Sequence, residues 1–176
     1  LNAGIAVLQY RNKLANADQM HEQAAVLFQH CRNLGIAFII NDDIELAHEL
    51  GADGVHLGEH DADLKTARHL LGANTIIGVS CYNSLTLAEK AAAEGANYIA
   101  FGAVYSSATK PRARNAGLEL FSQAASLNLP MIAIGGITPD NAAQTLDAGA
   151  HFIAVIGAVF DAADPASEVR SFISRF

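Results

Sequence analysis

Short, unbroken apolar runs alternate along this chain with longer stretches in which apolar side chains recur every three or four positions. The runs fall at residues 5–8, 37–40, 54–57, 75–79, 98–101, 131–134 and 152–156. They are rich in Ile and Val and show little polar alternation. Strands buried on both faces read this way, which predicts a parallel sheet covered by helices. The stretches between them predict helices over 18–34, 43–50, 63–71, 84–94, 117–127, 139–148 and 165–176. Ser84 is a good helix start, and Thr138-Pro139 sets a capping residue before a proline in the first turn. Gly35, Gly51, Gly72, Gly95 and Gly149 fit helix C-termini. A Gly-Ala phrase recurs after a helix and before a strand, at Gly51-Ala52, Gly95-Ala96 and Gly149-Ala150.

This repeat of strand and helix predicts a TIM (β/α)8 barrel that lacks its first strand and most of its first helix, with residues 1–176 as a single domain. Leu1-Asn2-Ala3-Gly4 reads as the end of that first helix, and a chain opening on Leu1 reads as one entered partway. An open doubly wound sheet is the alternative. It would call for a glycine-rich loop after the first strand, whereas here polar residues follow nearly every strand, as they do in barrels.

Composition narrows the function. The chain is 51% hydrophobic and 16% charged, with a formal net charge of −7. That supports a large core and argues against a nucleic-acid partner, which needs clustered Lys and Arg. No apolar run approaches the roughly 18 residues of a membrane span. The two cysteines make no disulfide framework, so a cytoplasmic setting is expected.

The polar residues at strand ends carry the candidate chemistry. In an extended Gln9-Tyr10-Arg11-Asn12-Lys13, alternate side chains share a face. Gln9, Arg11 and Lys13 would then present an amide and two cations, suited to an anion such as pyrophosphate or to a solvated turn. Asn41 and Asp42 end the next strand, and Asp43 reads as a helix cap. Asp61 follows the third strand, which neighbours the second in a barrel. The Asp42 and Asp61 carboxylates suit Mg2+, or they are simply helix-starting acids. His56 and His60 stand four apart on a strand and loop, and are read as inert. Ser80 is either a phosphate donor or a turn residue. Ser106, Ser107, Thr109 and Lys110 form a phosphate clamp or a flexible loop. Gly135-Gly136 and Ile156-Gly157 offer bare amides where barrels bind phosphate.

These motifs resemble thiamin phosphate synthases over essentially the whole chain. The matching pieces are Gln9-x-Arg11-x-Lys13, Ile40-Asn41-Asp42, the Gly51-Ala52-Asp53-Gly54-Val55-His56-Leu57-Gly58 stretch with Asp61, Ile77-Gly78-Val79-Ser80, Thr109-Lys110, Ala133-Ile134-Gly135-Gly136-Ile137 and Ala154-Val155-Ile156. The resemblance implies a transferase that joins a hydroxymethylpyrimidine pyrophosphate to a thiazole phosphate. It implies Gln9 on the pyrimidine side and Arg11, Lys13, Asn41, Ser80 and Lys110 on the pyrophosphate. Among these, Arg11, Lys13, Lys110 and Ser80 are the expected catalytic group. It further implies Mg2+ on Asp42 and Asp61, and the thiazole phosphate on Ser107, Thr109, Gly135, Gly136, Ile156 and Gly157. Two phosphorylated small molecules are the expected partners, and a homodimer is compatible. The loop departs from the family's usual Gly-Pro-Val-Phe-x-Thr-x-Thr-Lys at Ala103, Tyr105 and Ser107, and Gly157 replaces a usual Ser. A thiazole tautomerase is the nearest rival, but that family has a His where Tyr82 stands. A non-catalytic barrel that binds a phosphorylated metabolite is the rival of another class.

Overall fold

The structure, a computed structural model, describes residues 1–59, 61–106 and 115–175. The chain divides into two compact units, Leu1–Gly78 and Val79–Phe176. The first holds β1 (Val7–Tyr10), α1 (Ala17–Leu34), β2 (Ala37–Asn41), α2 (Ile44–Leu50), β3 (Gly54–Leu57), α3 (Leu64–Leu71) and the start of β4 (Ile76–Tyr82). The second takes the rest of β4, then α4 (Leu85–Ala93), β5 (Tyr98–Gly102) and α5 (Glu119–Ala124), which a 3-10 turn continues. It goes on through β6 (Met131–Ile134), α6 (Pro139–Asp147), β7 (Phe152–Ala154), α7 (Gly157–Phe160) and α8 (Pro165–Ile173).

In each unit, strands adjacent in sequence are adjacent in the sheet. All the described pairings are parallel. Val7 pairs with Ala37 and Ile39 with Gly54 in the first unit; Ile99 pairs with Met131 and Ile132 with Phe152 in the second. Parallel neighbours need a crossover between them, and the amphipathic stretches supply it. The architecture is therefore α/β, as the alternating pattern predicts.

Apolar burial holds each unit together. In the first, Phe38, Ile39, Ile40, Val55 and Leu57 are each at most 2% exposed. All four residues of β3 are buried, which explains its lack of polar alternation. Gly54 is required there, because a Cβ would stand 2.3 Å from the Ile76 carbonyl oxygen. In the second unit Phe101 meets Phe121 edge to face, with centroids 5.4 Å apart.

Side-chain caps mark where several of the loops end and helices begin. Asn16 and Gln19 form a capping box on α1. Asp43, Asp63, Ser84 and Asp164 cap α2, α3, α4 and α8. Gly35 and Gly51 close α1 and α2 in left-handed conformations.

Three elements differ from the sequence reading. β1 lies over Val7–Tyr10 rather than 5–8, because its ladder can begin only where its partner does, at Ala37. β7 stops at Ala154. Ile156 leaves the strand at φ −124°, ψ −81° and heads α7, a one-turn helix hidden inside an apolar run. β4 runs to Tyr82, past the end expected at 79. Among the described residues, no helix is long and apolar enough to cross a membrane.

Candidate active site

The C-terminal ends of β1, β2 and β3 carry the first group of candidates. Beyond Tyr10 the chain turns into a loop pinned to α1. The Tyr10 hydroxyl and the Asn12 amide both donate to Gln23 Oε1, at 2.9 and 3.1 Å. Asn12 Oδ1 accepts from the Leu14 amide. This loop and the end of β2 enclose an open cleft of about 380 Å3 lined by Tyr10, Arg11, Asn12, Lys13, Asn41 and Asp42, among others. β1 ends at Tyr10; Gln9 is exposed on it, and Arg11 and Lys13 line the cleft.

Lys13 Nζ lies 2.9 Å from Asp42 Oδ2. Asp42 has φ +67°, a left-handed conformation that Asp tolerates better than most residues. Its amide donates to the His56 carbonyl at 2.8 Å. Asp42 and Asp61 share a side-chain hydrogen bond, so the neighbouring strands do bring the two carboxyls together. Asp61 Oδ2 also accepts from the Gly58 amide at 2.7 Å. Burial, and then the hydrogen bond to Asp42, push the Asp61 carboxyl up. Burial alone would raise Asp42 too. The hydrogen bonds from Asp61 and Lys13, together with the charges of Lys13 and Arg11, outweigh it and hold Asp42 below the ordinary value. Of the pair, Asp61 is the first to take up a proton as the pH falls. His56 is 9% exposed, and burial lowers its imidazole to about 4. It is neutral at physiological pH.

The second unit carries the glycine turns. Gly135 and Gly136 have φ +99° and +65°. A Cβ on Gly136 would stand 2.6 Å from the Tyr105 carbonyl oxygen and 2.8 Å from that of Ser106. The Val104 and Tyr105 amides donate to the Ile134 and Gly135 carbonyls, each at 3.0 Å. Asn141 Nδ2 donates to the Gly136 carbonyl, and Asn141 Oδ1 accepts from the Thr138 amide. Ile156 is 59% exposed, and Gly157 opens α7. Ser80 lies partly exposed on β4. Cys81 is fully buried, its thiol pushed up to about 12 by burial, so no thiolate is on hand for nucleophilic chemistry. Ser107, Thr109, Lys110 and His60 lie outside the described residues.

A family model described as thiamine monophosphate synthase matches residues 1–159. The chain belongs to that family. The match spans every candidate position named above. A thiamine-phosphate synthase of Methylobacillus flagellatus is 51% identical over 176 residues, covering all of this chain and 84% of the relative. One from Chromobacterium violaceum is also 51% identical, again across the whole chain and 85% of the relative. Among solved structures, a thiamine phosphate pyrophosphorylase from Pyrococcus furiosus superposes with a TM-score of 0.90 at 35% identity, covering 98% of this chain and 83% of that one. Like its family, the chain is a transferase.

The structure also adds residues that the sequence reading passed over. Tyr10, Asn12 and Gln23 hold the loop of the diphosphate candidates. Tyr105, Asn141 and Thr145 surround the glycine turn. Asn141 carries a local signal, three residues after Thr138 in a capping box; Tyr10, Gln23 and Tyr105 carry none, because their partners are distant in sequence.

Proposed function

We propose that this member of the thiamine monophosphate synthase family condenses 4-amino-2-methyl-5-hydroxymethylpyrimidine pyrophosphate with 4-methyl-5-hydroxyethylthiazole phosphate, giving thiamin phosphate and pyrophosphate. The observation that carries the reading is the cleft where Arg11 and Lys13 stand beside the hydrogen-bonded Asp42–Asp61 pair. Two cations and two carboxyls together suit a diphosphate that arrives with a divalent cation. The repeated strand–helix unit with parallel neighbours is, in the same reading, that of a (β/α)8 barrel.

The donor set fits Mg2+. Among the described residues, no group of three or more His, Cys, Asp or Glu side chains could form an all-protein cage. Mg2+ commonly takes only one or two carboxylates and completes its shell with water and phosphate oxygens. Asp42 and Asp61 would hold it. Bound there, it would neutralise charge on the departing diphosphate.

The chain's own residues do the rest. Arg11, Lys13 and Lys110 stabilise the charge that develops as the carbon–oxygen bond to pyrophosphate breaks. Asn41 and Ser80 orient that group, and Gln9 contacts the pyrimidine. The substitution is dissociative, because an aminopyrimidine can stabilise the methylene cation. Ser107, Thr109, Gly135, Gly136, Ile156 and Gly157 hold the thiazole phosphate so that the ring nitrogen is aimed at the cation. No side-chain nucleophile is needed. Two buried free thiols suit the reducing cytoplasm in which we place the enzyme.

The test mixes both phosphorylated precursors with Mg2+ and follows thiamin phosphate and pyrophosphate. Product in equal amounts is expected. Chelation of the metal should abolish it, and Asp61→Ala or Lys110→Ala should remove most turnover with an unchanged circular dichroism spectrum. Failure of the wild-type protein to form product would overturn the proposal.

A further inference from the structure

Lys13 and Asp42 are each other's partners in the structure, yet the proposed chemistry gives them different ones. Lys13 Nζ lies 2.9 Å from Asp42 Oδ2, and its charge acts on both Asp42 and Asp61. A divalent cation held between these two carboxyls would stand close to an ammonium group already bound to one of its ligands. The two cations compete. Like charges repel, and an oxygen that accepts from Lys13 is less available to a metal.

Only one side of the pair can yield. The Asp42 backbone is fixed at φ +67°. Its amide donates to the His56 carbonyl at 2.8 Å, and the next residue caps α2. The Lys13 backbone is held too, because Asn12 before it is tied to Gln23 and accepts from the Leu14 amide after it. The Lys13 side chain differs. It is 58% exposed, against 25% for Asp42, and it carries its charge on a flexible four-carbon stem. An ion pair this exposed contributes little and breaks easily. With its anchor in place, the ammonium group can turn to another anion in the cleft that Arg11, Lys13 and Asp42 line together.

We propose that Lys13 exchanges partners, leaving Asp42 for the diphosphate, so that metal and diphosphate each open the site to the other. This rests on the reading that the cleft takes a diphosphate with Mg2+. A metal ion arriving alone must displace Lys13 from Asp42. A diphosphate offers the ammonium group a new acceptor and so releases the carboxylate. The coupling is reciprocal, as any linkage between two binding events must be. Arg11 acts on Asp42 by charge alone, so contact with the carboxylate is what sets Lys13 apart from it.

Two binding measurements test the exchange without turnover. Mn2+ alone, followed by electron paramagnetic resonance, probes the metal site. Inorganic pyrophosphate with a chelator present, followed by isothermal titration calorimetry, probes the anion site. Lys13→Met should tighten Mn2+ binding about three- to tenfold, since it removes a competitor and a repelling charge. It should weaken pyrophosphate binding about tenfold, the loss of a charge-assisted hydrogen bond. One substitution then moves the two ligands in opposite directions. Arg11→Met should also weaken pyrophosphate, but should tighten Mn2+ by less than about twofold, because its charge acts without contact. Asp42→Asn should remove Mn2+ binding. Mn2+ affinity that is unchanged or lower in Lys13→Met, or that rises equally in Arg11→Met, would overturn the exchange and leave the metal site standing. Mn2+ binding undiminished by Asp42→Asn would overturn the metal reading, and this proposal with it.

Discussion

Replacing Gly136 by Ala adds one methyl group at a crowded turn of the second unit. Two costs follow from the geometry. The left-handed φ of +65° is worth about 1–2 kcal/mol against any L side chain. The new Cβ would also sit 2.6 Å from the Tyr105 carbonyl oxygen and 2.8 Å from that of Ser106. Both obstacles are backbone, so relief requires the β5 loop to move, which strains the Tyr105–Gly135 hydrogen bond. Overpacking of this kind costs about 1–3 kcal/mol, giving a total near 4 kcal/mol. For a domain of this size each kcal/mol lowers the melting temperature by about 2–4 °C, so a fall of about 12 °C is expected. Gly95 and Gly51 provide controls. Their φ values are +89° and +64°, and nothing lies within 4 Å of a Cβ at either. Gly95→Ala and Gly51→Ala carry only the backbone cost, about 1–2 kcal/mol, which corresponds to about 3–6 °C. Thermal unfolding of the three variants side by side, by calorimetry or circular dichroism, makes the comparison. Equal losses at Gly136 and Gly95 would refute the claim that the β5 loop closes on this turn.

Other outcomes follow from the same geometry. The depressed His56 imidazole means that the unfolded chain takes up a proton which the folded chain refuses. Stability should fall as pH drops from 6.5 toward 4, by up to about 3 kcal/mol. Denaturant titrations of the wild type and His56→Leu should show the difference narrowing at low pH, and parallel pH profiles would count against a buried neutral imidazole. Cys81, buried and with its thiol near 12, should resist thiol reagents at pH 8 until the protein unfolds. Labelling of Cys81 within seconds in the folded state would contradict its placement. Gln23→Ala removes the acceptor of both Tyr10 and Asn12. It should weaken inorganic pyrophosphate binding several-fold in isothermal titration with little change in melting temperature, and undiminished binding would show that the loop needs no such anchor.

Much of the fold was legible because its strands are buried on both faces. Residues 54–57 read as a strand for the reason they are one: no side of β3 meets water. Helix starts were legible where a polar side chain caps them, as at Asp43 and Ser84. α7 was not, because Ile156 and the Gly157–Phe160 turn carry no capping side chain and continue an apolar run. The pairing of Asp42 with Asp61 followed from neighbouring strands alone. Lys13 against Asp42 did not, since it depends on how the loop after Tyr10 folds back. The hydrogen bond between Tyr105 and Thr145 spans 40 residues, and no local pattern announces it.

Asn41, Asp42 and Asp43 stand in succession, and each is committed to a different task. Asn41 closes the ladder opposite His56, Asp42 turns the chain at positive φ toward Lys13 and Asp61, and Asp43 caps α2. The joint between strand and helix therefore has no slack. A point substitution here can remove one task and spare the others. An inserted or deleted residue would shift all three at once, moving the carboxyl off its partners and the cap off its helix. Length, more than residue identity, is what this joint cannot vary. Engineered insertions at 41–43 should be far less tolerated than substitutions there.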